Sequence, residues 1–503
     1  MSNISIVVSF CSKSFGTGAG GKIPWNIPEE RKNLADLTKG HVVVMGRRTF
    51  EDFGSRPLDG RFNVVVSGSA GLAGLEQQNM AIVRPELLDM RSEIIHGDER
   101  IFVVGGARLY EKYLGVAERV YATVIEKEFD GLDTFFPVLA HDGVFGRMYK
   151  IAEAGPRRWS ETEGCFYRVV VYKKIESGGG LGGGGGGLGL VGEQGFLDLA
   201  REILGQPAAR PDRTGVGTLS VFARQLRFDV SDTVPVLTTR ALGVKTIVRE
   251  LLWFLRGSCD SKELEREGVR IWAGNTSREF LDQRGLAHYA EGETGPLYGW
   301  SLRRFGAAYK GSIAEGEEAG CWGKAKRKSE HGQGVKGLDQ LEELVAGLKA
   351  DPFSRRHLMT TFNPGVVDQC VLAPCHGIAI QFYVEKVAGQ GEEFQLSCHV
   401  YCRSSDTFLG LPFNIASYGI LLHLVAKRCG WRPKELVIST GDTHIYANHV
   451  VQAWTQVNRL PLPMPKLIIS EAAAKKDWSE LSVDDFDFAG YLSHPMIRAE
   501  MAV

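Results

Sequence analysis

The sequence predicts an α/β N-terminal domain built on a mostly parallel central sheet, followed by a larger α+β domain. Three observations carry this reading. The chain has 503 residues, more than one compact core ordinarily holds. From residue 176 it collapses into ESGGGLGGGGGGLGLVGEQG, a composition that buries no core and behaves as flexible coil. Before that stretch, short Val/Ile-rich runs alternate with amphipathic segments; after it, the segments are longer and mixed. The boundaries read as a domain at 1–175, a linker at 176–194 and a domain at 195–503. A phosphate-cradling loop is the alternative for the Gly-rich run, but no Lys-Ser or Lys-Thr follows to open a helix.

In order along the first domain, Ile4–Phe10, His41–Met45, Asn63–Ser67, Ile101–Val104 and Arg119–Ile125 read as strands. Segments around Glu29–Leu37 and Ala107–Leu114 read as helices. In the second domain, Val244–Leu255 and Ile415–Cys429 are expected to be helical, and Ala379–Val384 and Gln395–Val400 to be strands. A polar stretch from about 311 to 336 reads as a surface insertion.

Lys and Arg total 59 against 60 Asp and Glu, a net charge of -1, which gives no electrostatic case for nucleic acid or an anionic membrane as main partner. The basic run Lys324–Lys328 reads as a solvated face rather than an RNA site. Nine scattered cysteines argue against a disulfide framework and for a reducing compartment. MSNISIVVSF lacks the basic region of a signal peptide, and Ile415–Val425 is too short to span a bilayer. A cytoplasmic protein is expected.

In the first domain, Gly16-Thr17-Gly18-Ala19-Gly20-Gly21 formally fits a dinucleotide fingerprint. Pro24 and Pro28 follow it, so no helix starts there and a Gly-rich lid fits better. Glu29 and Glu30 sit at a helix start, where one carboxylate can face a cleft. Gly46-Arg47-Arg48-Thr49 follows a strand, and Gly105-Gly106 joins a strand to a helix. Both are places where backbone N–H groups and guanidiniums receive phosphate. Their order, with KIPWNIPEE, VVVMGRRTFEDFG, RPLDGRFNVVVS, FVVGGARLYEKYL and DTFFP, resembles dihydrofolate reductase over about residues 3–175. The resemblance implies NADPH-dependent reduction of dihydrofolate. It implies that Glu30 binds the pterin edge and assists protonation of N5, that Thr123 hydrogen-bonds Glu30, and that Arg61 clamps the glutamyl carboxylate. Leu34 falls at a folate-contact position, and Gly18, Arg47, Arg48, Thr49, Ser67, Gly105 and Gly106 fall at NADPH positions. Ser9, Leu34 and Thr17 depart from the family's usual Ala, aromatic and Ile.

The second domain's richest segment runs from Cys370 to Asn414. Three readings compete there: a metal site from Cys370, Cys375, His376, Cys398, His399 and Cys402; a papain-like thiol; and a nucleophilic cysteine near cations. The spacings disfavour the first and the missing local signature the second. In the third, Arg403, Arg355, Arg356 and Arg213 lower the thiol pKa and hold a phosphate. DRTGVGTLSVF, RELLWFLRG, GPLYGW, DPFSRRH, LAPCH, DTFLGLPFNIASYG and GDTHIYANH resemble thymidylate synthase in its own order. The resemblance implies an α+β fold and methylation of dUMP by 5,10-methylenetetrahydrofolate, with Cys375 attacking C6 of uracil. Arg213, Arg403 and Ser404 are implied phosphate ligands. Arg355 and Arg356 are implied to reach the neighbouring subunit's phosphate site, hence a homodimer. His444 and Tyr446 would hold the deoxyribose hydroxyl, Glu250 would organise proton transfers, and Tyr298 is a candidate base for the C5 proton. Trp272 and Asp406 would face the folate. Ala273, Leu302 and Cys402 replace the family's Asp, Trp and Gln, which leaves open a rival in which the synthase half is inactive.

Dihydrofolate, the by-product of the second reaction, is the substrate of the first, so fusion supplies regeneration at one-to-one stoichiometry. The resemblance also implies that Asn414 reads the O4 and N3 edge of the pyrimidine; its amide can accept from N3–H and donate to O4, which matches uracil, whereas an Asp would match cytosine. Replacing Asn414 by Asp is therefore expected to weaken dUMP turnover and admit deoxycytidylate in a competition assay. Unchanged selectivity contradicts the assignment.

Overall fold

The computed structural model describes residues 4–68, 79–85, 100–137, 145, 148–175, 190–311, 337–387 and 393–501. The Gly-rich run up to residue 189, the polar insertion from 312 and the Lys324–Lys328 run lie outside the described residues. The chain divides into two compact units. One is Met1–Gly186 with Leu460–Lys466 and Ala489–Pro495; the other is Gly187–Arg459 with Leu467–Phe488 and Met496–Val503.

The first unit holds a nine-stranded sheet among the described residues. Its order is Arg158–Ser160, Cys165–Lys174, Arg119–Ile125, Ile4–Cys11, Ile101–Gly105, Val42–Gly46, Phe62–Val66 and Met80–Val83, with Tyr149–Ala154 pairing Cys165–Lys174. The pairs among Arg119–Ile125, Ile4–Cys11, Ile101–Gly105, Val42–Gly46, Phe62–Val66 and Met80–Val83 are parallel, and those to Cys165–Lys174 are antiparallel. The central strands are continuous runs of Val and Ile because both faces are covered. Ile6, Val8, Val44, Val64, Val103 and Val120 fill one core, which Leu462 and Leu492 of the later segments join. Val43, Val65, Phe50 and Phe102 fill the other.

Helix Pro28–Thr38 opens on Pro at its first position, with Glu29 and Glu30 in its first turn, where the fixed proline φ and the helix dipole favour them. Helices Arg47–Asp52 and Ala107–Leu114 start directly after the strands Val42–Gly46 and Ile101–Gly105, capped by Gly46 and Gly106. The last five residues of the expected linker, 190–194, are not coil. Leu190–Val191 pairs in parallel with Leu226 and Arg227, and a helix runs Gly192–Leu204. Glu193 anchors it: its buried carboxylate accepts from the backbone of Thr238 and Thr239 and from the Thr238 hydroxyl.

The second unit is built on a six-stranded mixed sheet among the described residues, ordered Leu190–Val191, Thr218–Asp229, Arg432–Tyr446, Phe394–Asp406, Ala379–Lys386 and Leu358–Met359. Helix Gly410–Cys429 packs on the strands Phe394–Asp406 and Arg432–Tyr446. It begins five residues before the expected Ile415, so Asn414 lies within it. Strand Phe394–Asp406 runs six residues past the expected Val400 and so carries Arg403, Ser404 and Asp406. Helix Val244–Arg256 ends at Gly257 in the left-handed region, and helix Tyr298–Arg304 crosses it there. A Cβ on Gly299 would stand 2.7 Å from the Ser258 carbonyl oxygen, so only glycine allows this approach, which fixes where Tyr298 sits.

Candidate active sites

In the first unit, Glu30, Leu34, Arg61, Thr123, Gly18, Arg47, Arg48, Thr49, Ser67, Gly105 and Gly106 all line one cavity of about 1330 Å³. A Cβ on Gly105 would stand 2.6 Å from Thr49 Oγ1, so the turn before helix Ala107–Leu114 presses against helix Arg47–Asp52. Two helix starts thus face the same space beside Arg47 and Arg48, a set of donors suited to a polyanion. Arg47 is paired with Glu51 at 2.6 Å on the exposed side. The Gly-rich lid pairs as Gly16–Gly18 with Thr134–Phe135, and Thr17 Oγ1 donates to the Thr134 carbonyl. Arg61 donates to the Asp59 carbonyl and to Thr38 Oγ1.

Burial raises the Glu30 carboxyl above its ordinary range, and a hydrogen bond from Ser9 opposes that rise. Here the structure corrects the sequence expectation. The donor to Glu30 is Ser9 Oγ, at 2.9 Å. Thr123 is instead Ser9's neighbour across the parallel ladder.

In the second unit, Cys375 sits beside Tyr298. The Cys375 N–H donates to the Tyr298 hydroxyl oxygen at 3.0 Å, and its Sγ lies 3.3 Å from the same oxygen. Tyr298 stacks on His376 at 4.2 Å, and His376 Nδ1 lies 2.8 Å from the hydroxyl of Tyr418, one helical turn beyond Asn414. Burial lowers the His376 pKa to about 3, so its ring is neutral across physiological pH and serves as packing and polar spacer. Arg403 donates to the carbonyls of Pro374 and Ala373 and so braces the loop that carries the thiol. Ser404 N–H donates to the Cys375 carbonyl.

The expectation of a lowered thiol pKa is reversed. Burial raises Cys375, and the Tyr298 hydrogen bond and the Arg403 charge offset that only in part. Desolvation outweighs one exposed guanidinium because the cost falls on the thiolate itself. Arg213 is exposed in the Arg210–Gly217 loop, which Asp212 holds through the N–H groups of Thr214 and Gly217. Its charge reaches Tyr446. His444 Nδ1 lies 2.9 Å from Asp442 Oδ1, and its ring meets Tyr446 at 5.2 Å. Asp442 is a site residue that the sequence reading missed, although GDTHIYANH displays it two positions before His444. Asp406 accepts the N–H groups of Phe408 and Leu409, and so holds the turn into helix Gly410–Cys429. The Asn414 amide and the Arg355 and Arg356 guanidiniums make no hydrogen bond or ion pair among the described residues.

Trp272 Nε1 donates to Glu250 Oε1 at 2.9 Å, and burial pushes the Glu250 carboxyl up to about 7. Of the departures, Leu302 is buried in helix Tyr298–Arg304 and Ala273 N–H donates to the Arg270 carbonyl. Cys402 is buried, with its pKa pushed up to about 12. Among the described residues no group of His, Cys, Asp and Glu is arranged to hold a metal ion, and no helix is long and apolar enough to cross a membrane.

Comparison with known proteins decides the chemistry. The family profile of dihydrofolate reductase matches residues 3–174 and that of thymidylate synthase residues 194–503. The chain belongs to the bifunctional dihydrofolate reductase–thymidylate synthases. The bifunctional dihydrofolate reductase-thymidylate synthase of Paramecium tetraurelia is 33% identical over 97% of this chain and 96% of its own length. That of Zea mays is 34% identical over 100% and 97%, and that of Leishmania amazonensis 35% over 99% and 95%. As a dihydrofolate reductase–thymidylate synthase, the chain reduces dihydrofolate with NADPH and methylates dUMP to dTMP with 5,10-methylenetetrahydrofolate.

The raised Glu250 carboxyl makes stability pH-dependent. Its contribution is full below the unfolded value near 4.5 and is lost as pH rises through about 7. Glu250→Gln is expected to gain stability relative to wild type by roughly 1–3 kcal/mol between pH 5 and pH 8. Urea unfolding of the full chain at both pH values reads this. A pH-independent difference contradicts it.

Proposed function

We propose that the two activities are carried by the residues gathered in the two sites. In the reductase, Glu30 receives the pterin edge and assists delivery of a proton to N5. Arg61 meets the glutamyl carboxylate, with Leu34 and Thr123 against the ring. NADPH supplies the hydride. Its phosphates fit the two helix starts at Gly46 and Gly106 with Arg47, Arg48, Thr49 and Ser67, because these residues line the cavity together at the N-caps of the two helices.

In the synthase, Cys375 Sγ forms the bond to C6 of dUMP, and the electron pair displaced makes C5 nucleophilic. Because the Cys375 N–H occupies the Tyr298 oxygen as acceptor, the tyrosine's own proton is free to point at sulfur. That favours the thiolate at the moment of attack. Asn414, Ser404, Arg403, Arg213, His444 and Tyr446 hold the nucleotide, Trp272 and Asp406 face the folate, and Glu250 handles protons. A group with pKa about 7 exchanges them readily at neutral pH. The single observation that carries this reading is the Tyr298–Cys375 pair. Retention of it, with Arg403 bracing the loop, favours an active synthase over an inactive one despite Ala273, Leu302 and Cys402.

The working form is a homodimer. Leu358, Tyr383 and Tyr401 are exposed on one face of the six-stranded sheet, brought together by the register Leu358 to Gln381 and Ala379 to Tyr401. An exposed apolar sheet face of this kind seeks a partner. Arg355 and Arg356 stand just before Leu358, available to a second subunit's nucleotide. Balanced charge and scattered free cysteines support a cytoplasmic location.

Incubation with 5-fluorodeoxyuridylate and methylenetetrahydrofolate is expected to leave a covalent adduct on the Cys375 peptide, read by mass spectrometry, and none in Cys375→Ala. Folded wild type without adduct overturns the synthase assignment.

A further inference from the structure

Strand Ile4–Cys11 is buried along nearly its whole length, and Ser9 places a hydroxyl inside it. A buried hydroxyl must find a partner. It finds Glu30, 21 positions away, whose Oε1 accepts from Ser9 Oγ at 2.9 Å. We propose that Ser9 is a positioning residue for dihydrofolate reduction, fixing one edge of the Glu30 carboxylate so that the remaining acceptor positions face the substrate. This rests on the assignment of Glu30 given above.

The rival donors are otherwise engaged. Tyr110, near enough for the Glu30 charge to raise it, donates its hydroxyl to the Val7 carbonyl at 3.1 Å. Thr123, level with Ser9 on the next strand, lines the same cavity and makes no hydrogen bond to Glu30. The charges facing Glu30 are Arg31 on its own helix, which favours the carboxylate, and Asp52 of helix Arg47–Asp52, which opposes it. Between burial, which drives the carboxyl towards its neutral form, and these two charges, the Ser9 hydrogen bond is the strongest pull back towards the ion. A carboxylate offers about four acceptor directions; the hydroxyl takes one from a short side chain on a rigid central strand. Glu30 itself sits on the first turn of a helix, where its longer side chain has rotamers to lose.

The test is the pH profile of single-turnover dihydrofolate reduction at saturating NADPH, in the full chain. Ser9→Ala is expected to move the controlling pKa upward by about half a unit or more, extending the fast limb to higher pH. Ser9→Thr, which restores a hydroxyl, returns the profile towards wild type, and Thr123→Ala moves it less than Ser9→Ala. Ser9→Cys, close in volume and a weaker donor, gives the same direction of shift and serves if the alanine variant does not fold. A profile of Ser9→Ala that superimposes on wild type, or an equal shift in Thr123→Ala, overturns the proposal. Glu30→Gln in parallel separates the failures: wild-type rates there overturn the role of Glu30 itself.

Discussion

The synthase half depends on one contact, the Tyr298 hydroxyl lodged between the backbone nitrogen and the sulfur of Cys375. The two residues are 77 positions apart, and every element near the site serves to bring them together. Gly257 ends one helix, Gly299 lets the next press against it, and Tyr298 is the first residue of that second helix. On the other side, Arg403 ties down the Ala373–Pro374 carbonyls, and the Ser404 N–H holds Cys375 from behind. The thiol is thereby fixed in a place where burial favours its protonated form. A thiol held neutral is guarded against adventitious alkylation and oxidation.

The reductase half meets the same problem. Its carboxyl is buried as well, and the Ser9 hydroxyl, ahead of the Arg31 charge, resists the loss of charge. Both sites therefore set a pKa chiefly by desolvation and trim it with one hydroxyl, Ser9 in one and Tyr298 in the other. Glu250 lacks such trimming beyond the Trp272 N–H, and rises to about 7.

Much of this was legible in the sequence. Strand Arg119–Ile125 and helix Ala107–Leu114 stand where periodicity places them, because their apolar spacing has no competing reading. Boundaries failed where local pattern and tertiary context disagree. Strand Arg432–Tyr446, which carries His444 and Tyr446, begins Arg-Pro-Lys-Glu and shows no clean alternation; its pairing on both edges makes it a strand. Helix Gly192–Leu204 begins inside the Gly-rich run because Glu193 finds buried donors 45 residues away. The departures were visible as letters but not as geometry: Ser9 reads as a deviation and proves to be the partner of Glu30. The sign of the Cys375 shift was missed for a general reason. Charges can be counted along a sequence, whereas desolvation exists only once the chain has folded.

The Tyr298 hydroxyl holds the Cys375 thiol below the pKa that burial alone would set. The direct measurement is the pH dependence of Cys375 alkylation by iodoacetamide, followed on its own peptide by mass spectrometry, in wild type and Tyr298→Phe. Loss of the hydroxyl is predicted to raise the thiol pKa further and slow alkylation at neutral pH, with the folded state intact by circular dichroism. An unchanged or lowered pKa in Tyr298→Phe would contradict the account.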